Sequence, residues 1–206
     1  MQLTELRIKN LRCIQQAELH LAPGINLITG GNGAGKTSVI EAIHLMGYGR
    51  SFRGRVRDGM IRSGANQIEV FIRWNENKPG ERHAGLLHTG NTWQAKLNGQ
   101  STTSLTELCA EIPVVTFEPG SHELIGGGAE HRRRYLDWGL FHVEQEFVQQ
   151  WRRYARALKQ RNSLLKTQAT ASLLDPWERE MATSGEIISR YRSNYLEQLD
   201  SELNST

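Results

Sequence analysis

An α/β core followed by an all-helical second part is the fold class this sequence predicts, and three observations predict it. Gly30-Gly31-Asn32-Gly33-Ala34-Gly35-Lys36-Thr37 fits the pattern Gly-x-x-x-x-Gly-Lys-Thr, with an apolar run at residues 25–29 before it and helically spaced residues 38–46 after it. Short alternating or β-branched segments recur from residue 4 to residue 117. From Ala129 to Thr206 that pattern is gone, and apolar residues return at three- and four-residue spacing. The expected division is residues 1–128 and residues 129–206.

The strand–loop–helix context separates a working phosphate-binding loop (P-loop) from a chance Gly-rich turn. Gly30, Gly31, Gly33 and Gly35 let successive backbone N–H groups turn inward around phosphate oxygens, where a side chain would collide. A helix starting near Lys36 adds its positive N-terminal end. Lys36 is placed to meet the β- and γ-phosphates, and the Thr37 hydroxyl to ligate Mg²⁺. The candidate nucleotide site is thus Gly30, Gly31, Asn32, Gly33, Ala34, Gly35, Lys36, Thr37 and Ser38, with nucleotide phosphates and Mg²⁺ as ligands.

The elements follow in order. Residues 4–9 alternate, Thr4, Leu6 and Ile8 against Glu5, Arg7 and Lys9, and residues 17–21 do the same, so both read as strands. Pro23-Gly24 turns the chain into a third strand, Ile25-Asn26-Leu27-Ile28-Thr29, expected to be buried. Residues 49–64 are Gly/Arg-rich and loop-like. Residues 69–74 read as a strand and residues 75–82 as a polar loop around Pro79-Gly80. Residues 84–88 and 92–97 read as paired strands turned by Gly90-Asn91, and Asn98-Gly99 is a second hairpin-type turn. Ile112-Pro113-Val114-Val115-Thr116-Phe117 reads as a short strand, at an edge or a strand start because of Pro113.

In the helical part, Phe147, Trp151, Tyr154, Leu158 and Leu165 share one face. Asp175-Pro176-Trp177-Glu178 looks like a helix start, with Asp as N-cap and Pro at the first position. Trp177, Met181, Ser184, Ile188, Tyr191 and Tyr195 then alternate at four and three. This is either an antiparallel coiled-coil-like hairpin or an ordinary amphipathic pair closing a core.

Composition bounds the class. The chain has 206 residues, 38% hydrophobic and 23% charged, enough to fold around a core. No apolar run nears the roughly 18–20 residues of a membrane span, and the N-terminus lacks signal-peptide character. Cys13 and Cys109 are too few for a disulfide framework and read as buried small residues of a cytoplasmic protein. No pair of its seven histidines has metal-ligand spacing.

Net charge is only +3, so its distribution matters more than its sum. Arg50, Arg53, Arg55, Arg57 and Arg62 crowd the loop after the phosphate-binding helix, against Asp58 alone. Arg132, Arg133 and Arg134 form a second cluster, and between Arg132 and Lys166 there are nine Lys/Arg and three acids. Such local excess suits polyanion binding, with Phe52, Tyr135 and Trp138 available to stack on bases. The other reading is a solvated helix face, with arginines pairing to nucleotide or to core acids. Hydrolysis needs a Walker-B acid at a strand end; Glu118 after Thr116-Phe117 is the one candidate, a poor one between Pro113 and Pro119. No Leu-Ser-Gly-Gly-Gln-type signature is present. Enzyme activity of the chain is therefore left open, with no catalytic residue assigned.

Residues 1–12, with Leu6-Arg7-Ile8-Lys9-Asn10-Leu11-Arg12, together with Gly24 to Thr37, resemble the head of ABC/SMC-type DNA repair ATPases. His44-Leu45 and Gly49-Arg50-Ser51-Phe52-Arg53 narrow the resemblance to the RecF family of bacterial DNA replication and repair proteins. The stretch from Pro119 to Asp137, with Arg132-Arg133-Arg134-Tyr135-Leu136-Asp137, fits a pattern of that family. It departs at Gly120, where the family has an acid, and at Ala129, where it has a proline. The resemblance implies an ABC/SMC-like P-loop NTPase head with a mixed sheet, begun by residues 1–128. Residues 129–206 would begin a helical second lobe carrying a short coiled-coil arm. It implies a chain that stops before the family's signature, Walker B and D-loop, so that it is the N-terminal part of a longer protein and incomplete. It further implies ATP-dependent homodimerisation on single-stranded or gapped DNA, recombinase loading with the RecO and RecR mediators, and support of the SOS response. Arg12 matches a position that approaches the ATP phosphates in related heads. The remaining alternatives are a small P-loop kinase and a non-catalytic nucleic-acid- or protein-binding module.

Overall fold

The computed structural model describes residues 1–53, 59–76, 80–102, 104–117 and 119–205. They form two compact units, Met1–Thr116 and Phe117–Thr206. Residues 119–128 go with the second unit, whereas the composition changes only at Ala129.

The first unit is built on a six-stranded sheet of β1 (Gln2–Leu11), β2 (Ile14–His20), β3 (Ile68–Asn75), β4 (Glu81–His88), β5 (Trp93–Leu97) and β6 (Gln100–Ser101), in the order β2-β1-β3-β4-β5-β6. Alternation sets the two faces. Leu6, Ile8, Ile68, Val70, Ile72, Trp74, Ala84, Leu86 and Ala95 point to the core. There they meet helix α1 (Lys36–Tyr48), through Val39, Ala42, Leu45 and Met46, and helix α2 (Leu105–Glu111), through Leu108. On the other face the Arg7 and Arg73 guanidiniums stand 5.1 and 5.9 Å from the Phe71 ring centre, and both pair with the buried Glu5. Asn98 and Gly99, with φ of 49° and 82°, make the two-residue turn that joins β5 to β6.

Three expectations for this unit change. Residues 25–29 carry no regular structure, and Ile25 and Leu27 are 97% and 84% exposed. A strand needs a ladder partner, and no strand among the described residues pairs with this run. The strand pairings among the described residues are antiparallel. Residues 112–117 are likewise not a strand. They run against α1 instead, with Ile112 buried, Val114 packed on the core, and Thr116 Oγ1 2.9 Å from His44 Nδ1. Helix α2 was not foreseen, although its start is signposted: Ser104 accepts a hydrogen bond from the Thr106 N–H at 3.1 Å, and Glu107 stands at the third helical position. Cys109 is buried as expected, but Cys13 is exposed.

The second unit is helical: a 3₁₀ turn at Pro119–His122, then α3 (Glu123–Gly126), α4 (Ala129–Val143), α5 (Phe147–Lys166) and α6 (Ala171–Asn204). Helices α5 and α6 are joined by a four-residue link and pack along their lengths as a helical hairpin. The α6 seam is the expected one, centred on buried Ser184 and Ile188. The α5 seam is Phe147, Gln150, Tyr154, Ala157, Arg161 and Leu164, a strict three/four alternation. Trp151 and Leu165, expected in it, are 46% and 45% exposed. Helix α6 begins at Ala171 rather than at Asp175, because Ala171-Ser172-Leu173-Leu174 favours one more turn. Pro176 then lies inside the helix, where its missing N–H costs one backbone bond.

Candidate nucleotide-binding site

The loop between β2 and α1 delivers Gly30–Thr37 to the N-terminus of α1. Gly30, Gly33 and Gly35 have φ of 149°, 81° and 95°, a backbone region that L side chains rarely adopt. Gly35 is also the point of closest approach: a Cβ there would lie 3.1 Å from Ile14 Cγ1 and 3.3 Å from Cys13 Sγ, on the β1–β2 turn. Gly35 caps α1, and its carbonyl accepts from the Val39 N–H at 3.0 Å. No acid stands in the first turn of α1, so the helix end keeps its positive character.

The Lys36 ammonium donates to the carbonyls of Gly30 and Gly31, both at 2.8 Å. It folds back over the loop, and an incoming phosphate competes with two charge-assisted hydrogen bonds rather than with a rigid ion pair. Thr37 is exposed in the first helical turn, and Ser38 beside it is buried, its Oγ 4.0 Å from Cys13 Sγ. Asn32 and Ala34 are exposed, and the Ala34 N–H donates to the Gly31 carbonyl at 3.3 Å. These residues fit a nucleoside triphosphate with Mg²⁺. The glycine cradle and Lys36 address phosphate oxygens, and one hydroxyl is the usual protein share of a Mg²⁺ shell completed by phosphate and water.

Arg12 lies in the β1–β2 turn at φ 54° and reaches α1. Its Nε and Nη2 donate to the two oxygens of Glu41, at 3.1 and 2.8 Å. Glu41 is fully buried and also accepts from the Ser51 hydroxyl, with Arg53 Nη1 at 3.8 Å. Ser51 in turn accepts from the Arg53 N–H at 2.9 Å. Farther along the loop, Arg62 donates to the Cys13 carbonyl at 2.7 Å, and the Arg12 N–H donates to the Met60 carbonyl at 2.8 Å. The basic loop is therefore tied to α1 through Ser51 and to the β1–β2 turn through Met60 and Arg62.

Sequence reading passed over Glu41. Its one signal was a carboxylate in the middle of an otherwise apolar helix. His44, one turn on, stacks on Tyr48 at 4.1 Å and meets Phe52 edge-on at 5.0 Å. Burial, helped by the charge of Arg50, lowers its pKa to about 4 against the opposing pull of Glu41.

Of the expected nucleic-acid contacts, Arg50 and Arg53 are exposed beside this network. Arg55 and Arg57 lie outside the described residues, as do Asp58 and the Walker-B candidate Glu118. Arg132, Arg133 and Arg134 are exposed on the first turns of α4, in the other compact unit. Arg132 donates to the Gly127 carbonyl at 2.9 Å, and Arg134 pairs with Glu130 at 2.7 Å. Among the described residues no group of three or more His, Cys, Asp or Glu could hold a metal ion. No helix among them is long and apolar enough to cross a membrane.

A phosphate-binding loop on an α/β core defines a P-loop nucleotide-binding domain, and the chain belongs to the family described as AAA domain, which matches residues 5–120. Its relatives are more particular. It is 58% identical over 98% of its length to the DNA replication and repair protein RecF of Xanthomonas oryzae pv. oryzae (strain MAFF 311018). The chain spans 57% of that relative's length. A solved structure of the recombination mediator protein RecF with ATP, in the RecFOR pathway, matches 96% of the chain with a TM-score of 0.86 at 30% identity, and the chain covers 54% of it. The Smc head domain of Pyrococcus furiosus, with its extended coiled coil, matches at TM-score 0.56 and 17% identity over 96% of the chain and 61% of its own length, a likeness of fold.

Proposed function

We propose that this chain supplies the nucleotide-capturing and DNA-contacting part of a RecF-type replication and repair protein. The observation that carries the reading is the Gly30–Thr37 loop, with Gly30, Gly33 and Gly35 at positive φ, within a chain similar to RecF along nearly its whole length. The backbone N–H groups of Gly30 to Lys36 and the Lys36 ammonium would hold the phosphates of ATP, with Ser38 and Arg12 beside them, and the Thr37 hydroxyl would ligate the metal. Mg²⁺, when bound, would supply charge neutralisation for the phosphates. Residues 1–128 serve as the start of the ATP-binding lobe and residues 129–206 as the start of the helical lobe. DNA is met by Arg50, Arg53, Arg55 and Arg57 and by Arg132, Arg133 and Arg134. A second copy closes over ATP, the mediators RecR and RecO are the protein partners, and the setting is the cytoplasm, including the SOS response.

The geometry supports a link between the two ligands. Glu41 joins Arg12, beside Gly35, to Ser51 and Arg53 in the basic loop, so a phosphate that displaces Lys36 and shifts the turn is felt by the DNA-contacting arginines. Binding of labelled gapped DNA with and without ATP and Mg²⁺ tests this reading. ATP is expected to raise the affinity of the wild type severalfold and to leave the Lys36→Ala variant unchanged. DNA affinity of the wild type that is indifferent to ATP contradicts it.

A further inference from the structure

Helix α5 contains six basic residues, Arg152, Arg153, Arg156, Lys159, Arg161 and Lys166, and no Asp or Glu. Helix α6 is its complement, with seven acids against three arginines. Part of that asymmetry is spent inside the hairpin: Arg153 pairs with Glu180 at 2.6 Å and Arg161 with Glu178 at 2.9 Å, both flanking the seam. The rest faces outward. At about 100° per residue, Arg152, Arg156, Lys159, Ser163 and Lys166 fall within an arc of about 80°, directly opposite the Phe147–Tyr154–Ala157 seam. All five are exposed. Lys159 and Lys166 make no ion pair among the described residues, and the Arg156 guanidinium lies 5.9 Å from the Trp177 ring centre, a contact that keeps its charge.

We propose that this outward stripe of α5 is a binding site for the phosphate backbone of duplex DNA. The proposal rests on the DNA-binding reading above and adds to it a surface remote in sequence from the P-loop. Arg152 to Lys166 spans 14 steps, about 21 Å at the helical rise, comparable with the axial length of about six base pairs. Helix α5 itself carries no carboxylate to repel a polyanion. The stripe carries no aromatic side chain either. Trp151 stands about a quarter turn away, so bases have no stacking platform, and the ligand recognised is phosphate rather than an unpaired strand. Such a contact is independent of sequence and strongly salt-dependent.

The test is fluorescence anisotropy of this chain with a labelled blunt duplex and a single strand of equal length, across a series of salt concentrations. The Lys159→Gln/Lys166→Gln variant changes no contact inside the hairpin, and adding Arg156→Gln removes a third outward charge. For the duplex, the slope of log K against log salt is expected to fall by about 0.9 per lost contact, hence about 1.8 for the double variant. Duplex affinity at low salt should fall about tenfold or more, with helical content unchanged by circular dichroism and the single strand less affected. Duplex binding by the wild type with an unaltered slope in both variants overturns the stripe, as a solvated face or a surface for an acidic protein, while leaving the DNA-binding reading intact. Equal losses for duplex and single strand overturn the duplex assignment. Absence of salt-dependent DNA binding by the wild type overturns both.

Discussion

Glu41 is a carboxylate with no solvent exposure in the middle of α1, bonded by the fork of Arg12 and by the Ser51 hydroxyl. Burying an ion is costly unless its partners replace the lost water, and removing one partner leaves the other uncompensated. Glu41→Gln keeps the shape but removes the charge that answers the Arg12 guanidinium, whose side chain is only 15% exposed. Loss of about 3 kcal/mol is expected, seen as a drop of roughly 10–20 °C in the thermal midpoint of the first unit. A midpoint within about 2 °C of wild type would show that the pair contributes little, as exposed pairs do. This residue also marks a limit of sequence reading. The glycines and Lys36 declare themselves by spacing, because their chemistry depends on neighbours along the chain. Glu41 depends on Arg12 and Ser51, which only the fold brings to it.

Among the elements, the helical hairpin shows how a seam is chosen. The α6 stripe was legible because its four/three spacing is unbroken from Trp177 to Tyr195. The α5 seam is not legible from side-chain size, because large apolar Trp151 and Leu165 lie outside it while small Ala157 and polar Gln150 lie within it. Close packing rewards fit over size. Gly139 on α4 is the sharpest case. A Cβ there would lie 2.5 Å from Tyr195 Cζ, so the absence of a side chain is what lets the Tyr195 ring pack against the Leu140–Phe147–Ile188 cluster. The bidentate pair of Arg192 with Asp137, at 2.8 and 2.9 Å, fixes the same contact from its flank. Gly139→Ala is expected to destabilise the second unit by about 1–3 kcal/mol through overpacking, even though Ala is the better helix former. Chemical denaturation followed by circular dichroism measures it; a stabilised variant would mean that Tyr195 moves aside at no cost. Strands show the complementary limit. Residues 25–29 and 112–117 have strand-like composition, yet neither is a strand, because pairing is a property of two segments and each lacks its neighbour among the described residues.

For the molecule as a whole, the first unit joins an antiparallel sheet, a helix and a phosphate-binding loop into one site, and the basic loop is anchored to that site through Glu41, Arg12 and Arg62. The family and the fold were legible in the sequence, since the loop and its flanks are contiguous. The ties that join nucleotide to basic loop were not, since they bridge residues 29 and 49 positions apart. The central claim is that Gly30–Thr37 captures nucleotide phosphate, with Lys36 exchanging its two carbonyl partners for phosphate oxygens. Isothermal titration of the chain with ATP and Mg²⁺, wild type against Lys36→Ala, tests it most directly. Saturable one-to-one binding by the wild type, weakened at least about tenfold in the variant by loss of a charge-assisted contact of about 1.4 kcal/mol or more, is the predicted result. Equal affinity of the two proteins for ATP would contradict the account.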